Sequence, residues 1–321
     1  MFGCGKDALS ITLNQSLKST TMLKFLKNYI LPLAMLTGIA GHSIFVYLSP
    51  FTPVLIFSML LLTFCKISFS ELKPTLLHVW LLLIQLIGAP AVYLLLRQFN
   101  EVVAQAAMIC VICPTATSAA VITAKLGGNA ASLTAYTLLV NIGVAIVVPI
   151  LFPLIKPQDD ISFLGAAFLI LSKVFILLIC PFLMAWLLQK FAPKVHDILL
   201  NLNELAFYLW AFALVIVTSQ VLSSMLANPA EIQVSIPVAI ITLFICCLQF
   251  FTGKTLGSVY NDRISGGQAL GQKNTILAIW MAHTYLNPLA AVGPGFYVLW
   301  QNVINSWQLW MRNKKASKNG K

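Results

Sequence analysis

Long apolar runs, parted by short polar stretches, fill the chain from about residue 29 onward. They cover about Tyr29–Leu48, Phe51–Phe69, Thr75–Leu96, Val102–Leu126 and Ala131–Ile155. A second set covers Ile161–Leu188, Glu204–Leu226, Gln233–Phe251, Ile264–Leu286 and Leu289–Trp310. Each comes close to the roughly 20 residues that an apolar helix needs to cross a bilayer. Backbone in hydrocarbon must satisfy its own hydrogen bonds, so such spans are helices. The ~10-residue alternating segments of a membrane barrel do not occur. The pattern predicts an all-α polytopic membrane protein with ten transmembrane helices. Met1–Thr21 is polar and unpatterned, without the apolar stretch of a signal peptide. Residues 1–28 are therefore read as a polar N-terminal segment, and Met22, opening Met22-Leu23-Lys24-Phe25, would itself serve as a start.

Composition sharpens this picture. The 321 residues are 59% hydrophobic and 9% charged, against about 25% charge in a soluble domain, and mean hydropathy is +0.89. A cytosolic enzyme, a disordered chain and a secreted disulfide scaffold are excluded. The net charge of +11 sits in loops and tails, where it marks topology rather than nucleic acid. With the N-terminus in the cytoplasm, the inner segments hold Lys6, Lys18, Lys24, Lys27, Lys66, Lys73, Lys125, Lys190, Lys194, Lys254, Arg263, Arg312, Lys314, Lys315, Lys318 and Lys321. The outer side holds Arg97 and Lys156, while Lys173 and Lys273 fall inside runs. Sixteen cations against two place both termini in the cytoplasm of an inner (plasma) membrane and require an even number of spans. Six of the seven cysteines lie in apolar runs and read as packing residues. Cys110-x-x-Cys113 has no His or second Cys pair near it, so no metal and no cofactor is expected.

Runs four and nine differ from the rest. Run four carries Cys113-Pro114-Thr115-Ala116-Thr117-Ser118, in which proline removes a backbone donor and clashes with the preceding turn. Run nine opens Ile264-Ser265-Gly266-Gly267-Gln268-Ala269-Leu270-Gly271-Gln272-Lys273-Asn274-Thr275, a poor continuous helix. Pro114 and Gly266, Gly267 and Gly271 are the expected break points. Interrupted spans at matching places in two halves point to a transporter site. Here each is the fourth of five, and an odd number per half inverts the second half. The expected organisation is thus a 5+5 inverted repeat, residues 29–155 and 161–311, with a basic tail at 312–321.

At these segments the chain resembles the bile acid:sodium symporter family, whose fourth span has Cys-Pro followed by small and hydroxyl residues, then a Gly-Asn turn. This sequence has Cys113-Pro114-Thr115-Ala116-Thr117-Ser118 and Gly128-Asn129. The family's ninth-span Glu-x-Gly-x-Gln-Asn is matched by Ala269-Leu270-Gly271-Gln272-Lys273-Asn274. The resemblance implies a core domain in which the two broken helices cross, beside a movable panel of spans one, two, six and seven. It also implies alternating-access transport of a small or amphipathic organic anion, coupled to sodium. The sodium-binding Glu and Gln positions read Ala269 and Lys273, and the Asn after the fourth-span break reads Ala120. Sodium use is therefore left open, and a sodium-independent carrier is expected. The auxin-efflux carriers, a channel and an intramembrane enzyme are the alternatives.

The candidate substrate- or ion-binding residues are Thr115, Thr117, Ser118, Asn141, Gln268, Gln272, Lys273, Asn274 and Thr275. The hydroxyls and amides either satisfy backbone freed by the breaks or contact the transported species. Asn141 either replaces a family hydroxyl or bonds between helices. An ammonium at the bilayer centre costs about 2.5–3.5 kcal/mol on insertion scales, and all nine carboxylates lie in tails, loops or span ends. Lys273 therefore has carbonyls, amides or an anionic substrate as its partners, or it snorkels to an interface. The expected partners of the protein are that organic anion, the lipid bilayer and a second copy in a homodimer, with no nucleic acid.

Overall fold

The computed structural model describes residues 30–67, 73–157, 161–202, 205–227 and 233–319. The polar segment 1–28 and the last residues of the basic tail lie outside them. Every regular element among the described residues is helical. Six helices are long and apolar enough to cross a membrane: α2 (His42–Phe64), α3 (Leu76–Leu96), α6 (Ala130–Ile155), α7 (Phe163–Phe191), α9 (Leu205–Ala227) and α10 (Ser235–Val259). Their outward faces carry Ile87, Leu94, Phe168, Ile236, Phe244 and many similar exposed side chains. A soluble protein would not leave so much contiguous apolar surface open to water. The chain is membrane-embedded, and these faces meet lipid.

The other apolar runs are shorter or interrupted, for local reasons. Run one gives α1 (Ile30–Ala40), which stops at Gly41, where a Cβ would lie 2.6 Å from the Phe45 ring. The boundary expected between Leu48 and Phe51 instead lies inside α2, as a 3₁₀ segment over Val46–Phe51 that contains Pro50. Run four is split into α4 (Glu101–Ile112) and α5 (Ala119–Leu126). Run nine is split into α11 (Arg263–Gly271) and α12 (Thr275–Tyr285). Between α7 and α9 lies α8 (Pro193–Asn201), and the chain closes with α13 (Val292–Asn319).

The two split helices form the buried centre. Nine consecutive residues, Ala104 to Ile112, are buried in α4, and seven, Ser265 to Gly271, in α11. One expectation is corrected here. Gly266 and Gly267 do not break the helix; they lie inside α11. They are small because α10 runs against them. A Cβ on Gly253 would lie 2.2 Å from the Gly266 carbonyl oxygen, and one on Gly266 would lie 2.4 Å from that of Gly253. Gly253 and Gly257 are four apart on α10, the small-residue spacing that lets membrane helices approach backbone to backbone. Gly127 does act conformationally: it ends α5 with φ 81°, a left-handed cap that favours glycine.

Candidate functional site: the crossing of the two broken helices

Both breaks are short. The first leaves the helix at Cys113 and resumes after Ser118; the second is only Gln272, Lys273 and Asn274. They meet in a single antiparallel bridge, with Thr115 opposite Lys273. Ala116 N donates to Gln272 O at 3.0 Å, and Asn274 N donates to Pro114 O at 2.9 Å. Thr115 Oγ1 donates to Ala269 O at 2.7 Å. Each unwound segment thus supplies the partners that the other lost by leaving its helix, which is how irregular backbone is tolerated at membrane depth.

Side chains close most of the remaining valences, with a Gln and a Tyr on each side of the crossing but bonded differently. Gln85 on α3 donates to Ile112 O at 3.0 Å and Cys113 O at 2.9 Å, and its own oxygen accepts from the Tyr136 hydroxyl of α6 at 2.9 Å. Opposite, Gln249 on α10 donates to Cys110 O at 3.2 Å and to the Tyr297 hydroxyl at 3.0 Å. Tyr297 on α13 donates to Gly271 O at 2.9 Å. Gln301 accepts from Lys273 N at 2.7 Å and donates to Lys273 O at 3.2 Å. Farther out, Asn129 N donates to Ser265 Oγ at 3.1 Å, and Asn287 N donates to Gln105 Oε1 at 2.8 Å. These two asparagines also cap the turns that open α6 and precede α13.

Lys273 is 1% exposed. Its Nζ donates to Val111 O at 3.0 Å, so the ammonium neither snorkels nor meets a carboxylate. It ties the second break to the last turn before the first. Val111 O would otherwise lack a partner, because Pro114 and Thr115 have left the helix.

A cavity of about 750 Å³ runs from the crossing to one end of the molecule. Thr117, Ser118, Gln272, Asn274 and Thr275 line its head, with Thr134 and Thr137 from α6 and Asn302 from α13 along its side. Met59 and Phe64 from α2 and Phe207 and Trp210 from α9 form the apolar wall. Phe207 and Trp210 stack, with ring centroids 5.9 Å apart. Lys66, Lys125 and Lys273 are the cationic residues of the lining, which contains no carboxylate. Gln272 donates through Nε2 to Ser118 Oγ at 3.1 Å, while its Oε1 has no partner among the described residues. The cavity therefore offers hydroxyls, amides and positive charge.

Most of the expected site residues gather here, but three do not line the cavity. Thr115 is buried within the crossing, where its hydroxyl is held by Ala269 O. Gln268 faces α13, donating to Asn305 Oδ1 at 2.9 Å. Asn141 donates to Thr137 O of its own helix at 2.6 Å, and it bonds neither between helices nor into the cavity lining. Both amides donate to buried acceptors. Asn274 has a structural duty as well: its Oδ1 accepts from Leu277 N and caps α12. The residues that sequence reasoning passed over are Gln85, Tyr136, Gln249, Tyr297 and Gln301. Gln85 and Gln249 each stand alone as an amide within the run Leu81–Ile87 or Leu243–Phe251. A polar group in so apolar a run was the available signal.

A second polar group lies beyond the cavity. His78 Nε2 is 2.9 Å from Ser132 Oγ, which donates to Asp262 Oδ2 at 2.6 Å. Thr75 N donates to His78 Nδ1 at 3.1 Å, so Nε2 carries the ring proton and donates to the serine. In a nucleophilic serine the hydroxyl donates to the histidine and the histidine to the acid. Here the order is ring, hydroxyl, carboxylate, and the trio ties the starts of α3, α6 and α11 together. Among the described residues, no three His, Cys, Asp or Glu side chains are grouped to hold a metal ion. No family model matches this chain, and no curated protein matches it in sequence.

Proposed function

We propose that this protein is a secondary transporter that carries a small or amphipathic organic anion across a membrane by alternating access. The observation that carries this reading is the antiparallel meeting of two broken helices, Thr115 against Lys273, at the head of an acid-free cavity. Discontinuous helices whose half-helix ends meet at midplane are the usual carrier binding geometry.

The recurrence of Gln, Tyr and Asn around the breaks supports a 5+5 inverted repeat. Gln85 and Gln249 fall on the third span of each half and Tyr136 and Tyr297 on the fifth; Gln85 holds the break of its own half, while in the second half Tyr297 holds Gly271 O and Gln249 reaches across to Cys110 O. Counting the split helices and α1 and α13 as spans gives ten. With the cationic bias of the loops, both termini lie in the cytoplasm, and the cavity, with Lys66 and Lys125 in its lining, opens inward. α1, α2, α7 and α9 would form the panel, and the remaining helices the core. The resemblance to bile acid:sodium symporters in Cys113-Pro114 and Gly271-Gln272-x-Asn274 points the same way.

The anion and the absence of sodium coupling both follow from Lys273. Hard cations take oxygen ligands. Around this crossing the carbonyls of Cys110, Val111, Ile112, Cys113, Pro114, Ala269, Gly271, Gln272 and Lys273 all accept from protein donors. The ammonium acts as a tethered internal cation, leaving charge at the crossing and few oxygens for a mobile one. Counterflow in proteoliposomes tests the reading. Vesicles preloaded with an unlabelled anion from a panel of carboxylates and sulfonates should take up the labelled one transiently above equilibrium. Uptake that never overshoots for any anion, or single-channel conductance in a planar bilayer, would refute a carrier.

A further inference from the structure

The helix between the two panel spans carries three faces, where a simple connector needs two. α8 follows α7 and precedes α9, so it lies where two membrane-crossing helices leave the hydrocarbon. At about 100° per residue, His196, Leu199 and Leu200 share one face. His196 is buried and its Nε2 lies 2.9 Å from Cys65 O at the end of α2, while Leu199 and Leu200 pack on the core. Lys194, Asp197 and Asn201 share a second face, toward water. Val195 and Ile198, continued by Leu202, form a third stripe about 60° wide. It is apolar, and the protein does not cover it: Ile198 is 60% exposed, and Phe191, just before the helix, is 69% exposed.

An apolar stripe beside a polar, cationic one on a helix at the bilayer boundary is the arrangement of an interfacial membrane helix. The charge around it favours one kind of lipid. Lys190 and Lys194 are exposed, and Lys66, also exposed, is one residue from the Cys65 carbonyl that holds His196. Lys190 Nζ lies 5.3 Å from the centroids of both Trp186 and Phe191, which holds that ammonium over aromatic rings at the boundary. Asp197 is the acid of this helix.

We infer that α8 and its flanking lysines form a docking surface for anionic phospholipid, with Val195, Ile198 and Leu202 among the acyl chains and Lys66, Lys190 and Lys194 on the headgroup phosphate. The lipid braces the joint between α7 and α9 against α2. Because α9 supplies Phe207 and Trp210 and α2 supplies Met59 and Phe64 to the cavity wall, the lipid sets how that wall is held. This inference needs only membrane embedding, and its binding readouts do not depend on transport.

The full-length protein in phosphatidylcholine nanodiscs, with and without phosphatidylglycerol, provides the test, read as unfolding midpoint and as lipid retained in native mass spectrometry. The expected result is a higher midpoint and preferential retention of phosphatidylglycerol. At about fivefold in affinity per lysine near the surface, Lys190→Gln with Lys194→Gln should weaken retention roughly thirtyfold and remove the midpoint difference. Ile198→Glu, on the lipid stripe, should weaken binding of both lipids. Soluble glycerol phosphate should leave the midpoint unchanged, because it lacks chains for that stripe. Equal stabilisation by both lipids, the same midpoint gain from glycerol phosphate, or retention unaffected by the double lysine change would overturn the assignment.

Discussion

Replacing Lys273 by methionine separates a structural role from a functional one, because the two predict opposite balances. The change keeps the length and apolar stem of the side chain and deletes the ammonium. It leaves Val111 O, now bound by Nζ at 3.0 Å, without that donor, at a cost of about 1–3 kcal/mol for an unsatisfied buried acceptor. It also removes a cation from the membrane interior, which recovers about 2.5–3.5 kcal/mol on insertion scales. The terms nearly cancel, so Lys273→Met should fold with an unfolding midpoint equal to or slightly above that of the parent. Transport should behave differently. An anion roughly 6 Å from the ammonium gains about 3 kcal/mol at an effective dielectric constant near 20, worth roughly a hundredfold in affinity. The assay is anion uptake into proteoliposomes over a range of substrate concentrations, beside thermal unfolding of the same preparation. Stable protein with half-saturation raised roughly a hundredfold is the expected pair of results. Unchanged half-saturation would refute the electrostatic role, and a collapse in stability would show that the amine mainly holds the fold.

Three further outcomes follow from the same geometry. Tyr136→Phe removes the hydroxyl that donates to Gln85, and Tyr297→Phe removes the one on Gly271 O. Each should lower stability by about 1–2 kcal/mol in detergent unfolding, and an unchanged midpoint for either would show that its hydroxyl does not hold the crossing. Gly253→Val forces side-chain atoms against the Gly266 carbonyl, 2.2 Å from the first added carbon. It should cost about 3 kcal/mol or more, read as loss of monodisperse protein on expression. Ser132→Ala should keep full transport while losing about 1 kcal/mol of stability, and the parent should not react with a fluorophosphonate serine probe; labelling abolished by this change would reopen an enzymatic reading.

The long spans were legible because an uninterrupted apolar run has one solution in lipid, a helix, and α3, α6 and α9 fall within a residue of the runs that predict them, while α10 continues past Phe251 to Val259. The breaks were legible in position but not in cause. Pro114 marks the first directly, since its ring and missing donor act on the local backbone. In the second, low helix propensity pointed to Gly266 and Gly267, yet the demand on those residues comes from α10, an element that the local pattern does not contain. The helix opens only after Gly271, at Gln272, where Ala116 N and Gln301 supply the new partners. For the same reason Asn141 and Gln268 could not be sorted from Gln272 by sequence: all are amides in membrane runs, and only tertiary placement decides which faces a cavity. His78, Ser132 and Asp262 are separated by 54 and 130 positions, so no spacing rule could have joined them.

In the proposed carrier a tethered ammonium stands at the crossing in place of a mobile cation. The most direct test is the initial rate of anion uptake into proteoliposomes under an inward sodium gradient, compared with the same vesicles in potassium alone. Equal rates in the two conditions are expected. Uptake that vanishes without sodium would contradict this role of the ammonium.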